Sequence, residues 1–172
     1  MDSLEIKIYG DEVLRKVCKP VEEITPELVN LAKKMLEAMY EAPGIGLAAP
    51  QIGKDIRLVV IDITHPDETD EREPHIMFNP SWEPEESSEL VAYEEGCLSI
   101  PDVFCNVERP STIKVRYTDE HGEAQEMRGV EGLLARCVQH EVDHLDGVLF
   151  VDKISQSDRI LNQSKLKKMA KR

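Results

Sequence analysis

Residues 139–145, Gln-His-Glu-Val-Asp-His-Leu, place two imidazoles four positions apart with a carboxylate directly after the first. Four residues advance an α-helix by about 400°, so on a helix His140 and His144 project from one face, one turn apart, and can share one metal ion. Glu141 then lies about 100° further round the axis, near the ion yet free not to ligate it, and is placed to carry a proton for a water that the ion activates. A lone histidine on an apolar face is ordinarily a hydrogen-bonded core residue; the complete His-Glu-x-x-His spacing turns the reading to a metal site.

Two histidines leave such an ion under-coordinated, since a catalytic site of the zinc type has three protein ligands and one open position. The third donor could be a carboxylate, another histidine or a cysteine. His65, His75 and His121 fall in expected loops or at a strand edge, where a surface role is the natural reading. Cys97 stands in Glu94-Glu95-Gly96-Cys97-Leu98-Ser99-Ile100-Pro101, a shaped turn on account of its glycine and proline, although a cysteine there also reads as a small buried hydrophobe. A second glycine motif, Gly44-Ile45-Gly46-Leu47-Ala48-Ala49-Pro50-Gln51, has the small residues that let backbone approach a substrate. It lacks the dinucleotide fingerprint and ends in Gln51, whose side-chain amide can donate to a developing oxyanion.

The elements that must position these residues follow from periodicity. Leu133, Leu134, Cys137, Val138, Glu141, His144 and Leu145 recur at three- and four-residue spacing, predicting a helix that Gly147 terminates. Thr25-Pro26 opens another helix, with Leu28, Leu31, Ala32, Met35, Leu36 and Met39 as its core-facing stripe and Pro43-Gly44 at its end. Asp11 to Val17 reads as a short helix. Strands are expected at Ile56–Ile63, His75–Phe78, Glu89–Tyr93, Ile113–Tyr117 and Ala124–Val130, with a short one near Val148–Val151 and a helix from Ser155 onward. This order predicts an α+β fold: mostly antiparallel sheets packed around a central helix that bears the metal motif, followed by a C-terminal helix.

The 172 residues suit one domain, 1–172, with 153–172 as a basic tail. A formal charge of -13 argues against DNA or other nucleic acid as the main partner. Absence of a signal-like segment or a long apolar run predicts a cytoplasmic protein that does not enter a membrane. Four cysteines without dense spacing read as thiols or metal ligands. The acidic run Asp67–Glu73 reads as a solvated loop. Lys153, Arg159, Lys165, Lys167, Lys168, Lys171 and Arg172 make the tail cationic, either as a solvated helix face or as a docking surface for an anionic partner.

Taken together, Gly44–Gln51, Glu95-Gly96-Cys97-Leu98-Ser99 and Gln139–His144, in this order and at this spacing, make the chain resemble the bacterial peptide deformylases over nearly its whole length. The resemblance implies removal of the formyl group from the initiator methionine of N-formyl-methionyl nascent peptides, with release of formate. It implies one divalent metal ion held by Cys97, His140 and His144, with a water in the fourth position; in the family the ion is usually Fe2+, and Ni2+, Co2+ or Zn2+ can take its place. Glu141 would be general base and acid, with Gln51 and the Leu98 backbone N–H stabilising the oxyanion. Ile45, Tyr93, Leu133 and Cys137 would wall the methionine pocket, while the backbone at Gly46 and Glu95 would pair with the extended substrate. The resemblance further implies that the C-terminal helix docks on the ribosome.

Two positions depart from parts of the family: Arg136 stands where some relatives carry an apolar residue, and Phe104 where some carry arginine. Arg109 reads as a surface arginine, or as a contact to the substrate's distal carboxylate or backbone. The motif on the helix alone would equally suit a metalloprotease, whose third ligand ordinarily follows downstream; none is well placed after His144. A structural metal module or an inactive binding protein would need neither Glu141 nor Gln51.

Overall fold

The computed structural model describes residues 3–64 and 68–171; the expectations placed on His65, Asp67 and Arg172 lie outside these. The first helix, α1 (Pro26–Glu41), starts as its sequence demands, with the Thr25 hydroxyl accepting from the Leu28 N–H and proline in the first turn. Strands β1 (Gly46–Ala48), β2 (Leu58–Ile61) and β3 (His75–Pro84) follow. A hairpin of β4 (Leu90–Cys97) and β5 (Ile100–Pro110) then precedes β6 (Thr112–Thr118) and β7 (Ala124–Glu131). Helix α2 (Gly132–Leu145) carries the metal motif, and α3 (Gln156–Ala170), capped by Ser155, ends the described chain.

Five strands form one antiparallel sheet in the order β1-β2-β3-β6-β7, and β4-β5 forms a separate two-stranded sheet. The hairpin is therefore an excursion between two strands that pair with each other. Strand β2, Leu-Val-Val-Ile, is wholly buried because a helix covers each face of the sheet. Leu58 and Val60 pack with Met35 and Met39 of α1, whereas Val59 and Ile61 pack with Val138, Val142 and Leu145 of α2. Full burial of such side chains is worth about 1.5–3 kcal/mol each relative to exposure. On the hairpin, Val103, Cys105 and Val107 meet Leu149, Phe150 and Val151, together with Leu166 and Met169 of α3.

The far end of α2 is tied down. The Leu145 carbonyl accepts from the Cys18 N–H (2.8 Å) and from Arg57 Nη1 (3.1 Å). Gly147 follows at φ +73°, and a Cβ there would lie 2.6 Å from the Arg15 carbonyl oxygen, so conformation and space both require glycine.

Several expectations are corrected. Asp11–Val17 yields only a 3₁₀ turn at Glu12–Arg15. The expected strand at Val148–Val151 is a 3₁₀ turn at Phe150–Asp152, where the Asp152 carboxylate accepts the Leu149 N–H (2.9 Å) and a bidentate grip from Arg15 (2.6 and 3.1 Å). The strand begun at His75 runs on to Pro84 through an irregularity between Phe78 and Ser81. There Asn79, at φ +52°, exchanges two 2.8 Å hydrogen bonds with the backbone of Val21. The turn around Cys97 is the tip of the β4-β5 hairpin, and neither β5 nor β1 was expected. Glu68 and Asp70–Glu73 are exposed, as a solvated loop should be. Among the described residues, no helix is long and apolar enough to cross a membrane.

Candidate metal centre

Helix α2 brings His140 and His144 to one face, and the register slip between Glu95 and Cys97 at the end of β4 turns the thiol toward them. One donor atom from each of Cys97, His140 and His144 lies within 4.8 Å of the other two. Cys97 Sγ is 3.4 Å from His144 Nε2. His140 Nδ1 is 2.9 Å from Glu95 Oε1, which fixes the ring and leaves Nε2 for an ion. A thiolate and two imidazoles suit a divalent transition metal, so the donor set fits the implied group.

Electrostatics point the same way. Burial works against charge on His140, but hydrogen bonds to Cys97 and Glu95 outweigh it and hold its pKa well above the usual histidine value. Burial, with His140 beside it, holds His144 well below that value. Two buried imidazoles side by side thus favour a positive charge on only one, and a bound cation would take the place of that extra proton. The Cys137 thiol is pushed well up by burial and stays protonated.

Glu141 is buried next to this cluster, and its Oε1 has no hydrogen-bond partner among the described residues. Burial raises its carboxyl to about 7. Above it runs β1: a Cβ on Gly46 would come within 2.5 Å of Glu141 Oε2 and 2.8 Å of Cys137 Sγ, so only glycine lets this strand lie so close. Gln51, in the 3₁₀ turn Ala49–Ile52, is buried too. Its Oε1 accepts the Ala48 N–H (2.9 Å), which commits the Nε2 end to Ser99 Oγ (3.1 Å) and Cys97 Sγ (3.5 Å).

Ile45, Gly46, Tyr93, Glu95, Leu133 and Cys137 all line one cavity of about 730 Å3, which Gln51, Cys97, Leu98, His140 and Glu141 also border. Phe104 and Arg136 are on its wall as well. Arg109 is not a surface residue. It is buried, gripping Glu95 with Nε and Nη2 (2.6 and 2.9 Å) and reaching Asp143 with Nη1 (2.8 Å).

Sequence reasoning gave Glu95 a backbone role only and missed its side chain, which also receives Arg136 Nη1 at 2.6 Å. Burial opposes ionisation of Glu95, yet the bonds from His140 and Arg109 win and bring its pKa to about 2. A signal existed for Arg109, since it keeps the inward phase of Val103, Cys105 and Val107 along β5.

The pattern that defines the family "Polypeptide deformylase" matches residues 3–160. The chain belongs to the polypeptide deformylase family. It is 53% identical over 165 residues to the peptide deformylase of Mesorhizobium japonicum, covering 95% of this chain and 91% of that one. Among solved structures, a peptide deformylase from Synechococcus elongatus in complex with actinonin is 43% identical, with a TM-score of 0.81 over 98% of this chain and 84% of that one. The peptide deformylase of Plasmodium falciparum is 34% identical, with a TM-score of 0.89 over 97% and 95%. Membership in a deformylase family sets aside the metalloprotease reading.

Proposed function

We propose that this cavity removes the formyl group from the amino-terminal methionine of nascent polypeptides, hydrolysing a linear amide to formate and a free amine. The observation that carries the reading is Glu141, a buried carboxylate with an oxygen unpartnered among the described residues, beside a Cys-His-His cluster. Cys97, His140 and His144 would hold the ion, for which we take Fe2+ as the physiological choice on the strength of the family resemblance. When bound, the ion supplies the Lewis acidity that makes water nucleophilic near neutral pH.

Glu141 takes the proton of the water that attacks the formyl carbon, and returns it to the amine as the carbon–nitrogen bond breaks. The Gln51 amide, already turned by Ala48, and the Leu98 N–H meet the oxyanion; such a donor is typically worth about 2.7–4 kcal/mol of barrier. Ile45, Tyr93, Leu133 and Cys137 receive the methionine side chain. Among the described residues, strand β1 pairs only with β2, and β4 only with β5, so Gly46 and Glu95 lie on strands with a second edge to offer to an extended peptide.

Residues 1–172 would act as one catalytic domain in the cytoplasm, with 153–172 as its basic extension. Lys153, Arg159, Lys165, Lys167, Lys168 and Lys171 are exposed, and in a chain of net charge -13 they make the C-terminal segment locally cationic, as suits contact with ribosomal RNA. Replacing Lys167 and Lys168 by glutamate should abolish co-sedimentation with ribosomes at low salt; unchanged sedimentation removes this part of the reading. The decisive assay is formate release from a formyl-Met tripeptide by protein prepared without oxygen, with Glu141→Gln as control. Turnover in the wild type and its loss in the control, with the ion retained in both, is expected; a fully metallated wild type that releases no formate overturns the reading.

A further inference from the structure

The ligands of the centre come from two elements that share no backbone ladder. Cys97 ends β4 in the separate two-stranded sheet, and both histidines lie on α2, which packs against the five-stranded one. The relative placement of hairpin and helix therefore depends on side chains that cross between them, and Arg136 makes three such hydrogen bonds. Its Nη1 donates to Glu95 Oε2 (2.6 Å) and to the Val107 carbonyl (2.8 Å), and its Nη2 donates to the Val91 carbonyl (2.8 Å). One guanidinium on α2 thus holds both strands of the hairpin, and it also lies 5.6 Å from the Tyr93 ring centroid on β4. Among the described residues the other polar crossings are one contact each from Gln139 to the Pro110 carbonyl, from His140 to Glu95, from Arg109 to Asp143 and between Cys97 Sγ and His144 Nε2.

We propose that Arg136 is a positioning residue for the metal centre, fixing the hairpin that carries Cys97 and the Glu95 carboxylate that orients His140. The inference rests on the metal-site reading above. Its planar fork is what the three acceptors require, and an ammonium cannot reproduce it. A purely electrostatic role predicts the opposite response, because a cation next to a divalent ion weakens binding and its removal should tighten it.

Two variants separate the possibilities: Arg136→Lys keeps the charge without the fork, and Arg136→Met keeps bulk without either. The measurement is nickel affinity by competition with a chelator, alongside the visible spectrum of the cobalt-loaded protein and circular dichroism of the folded apoproteins. Both variants should bind nickel roughly 10–100-fold more weakly, as is typical when a partner behind a ligand is lost. Their cobalt spectra should shift while the dichroism is retained. Nickel affinity unchanged in Arg136→Lys, or tightened in Arg136→Met, overturns the proposal and leaves Arg136 a charge near the site. If Arg136→Met does not fold, the lysine variant alone decides by the same criterion. A wild type that binds no metal overturns the metal-site reading as well, whereas tight wild-type binding with unaltered variants overturns this inference only.

Discussion

Glycine at position 46 leaves the space in which Glu141 sits, and that space is testable one carbon at a time. In Gly46→Ala the added Cβ would press on Glu141 Oε2 and Cys137 Sγ. A displacement of this size at a proton-transferring group should cost roughly 10²-fold in kcat with metal content unchanged, by single-turnover assay and metal analysis. If kcat is preserved, the close packing has no bearing on the reaction. Glu141→Gln should fold, keep the ion and lose about 10²–10⁴-fold in turnover, the usual share of a positioned acid–base group. The pairing of His140 with His144 was legible from their spacing, whereas Cys97 and Gln51 joined them through the three-motif resemblance; the structure brings all four together. Arg109, Arg136 and the Glu95 side chain were not legible, since charged residues at inward positions look like surface residues until their partners, distant in sequence, are known.

At the scale of elements, helices read more clearly than strands. The stripe of α1 and the capping of α3 by Ser155 are local signals, and the structure has both. Strand β5 was hidden because Ile100-Pro101 belongs to the motif around Cys97, so the alternation beginning at Val103 had no visible start. The apolar run at 148–151 looked like a strand, yet its shape is set by Asp152 and Arg15, far apart in the chain. Burial alone would raise the Asp152 carboxyl, but hydrogen bonds from Arg15 and the Leu149 N–H, with the Arg15 charge, hold it below the usual range.

A depressed carboxyl adds stability above its unfolded pKa of about 3.9 and loses that contribution as the pH falls through the lower folded value. The pair is partly exposed, so Asp152→Asn should cost only about 1 kcal/mol near neutral pH. In urea titrations the gap between variant and wild type should close below about pH 4. An equal gap at acid and neutral pH would show that Arg15 contributes nothing through charge.

For the whole molecule, the α+β class and the central position of α2 could be read from element order, whereas the strand order could not. Pairing of β3 with β6 skips the hairpin, and such long-range partners leave no trace in local periodicity. An ion that joins the hairpin to α2 should stabilise the global fold by mass action, by about 2.7 kcal/mol at a free concentration 100 times its Kd. For a chain of this size that corresponds to a Tm lowered by roughly 5–11 °C on chelation, measurable by calorimetry with and without nickel. A Tm indifferent to chelation would mean that the three ligands do not act together.

The excursion of β4 and β5 between β3 and β6 also bears on how each copy comes into being. Gln51, Cys97 and Glu141 enter the growing chain far apart, and the two histidines follow only with α2. A polypeptide still lacking α2 carries only one of the three proposed donors. If Cys97, His140 and His144 hold the ion as proposed, every molecule is born as an apoprotein and loading follows the synthesis of α2.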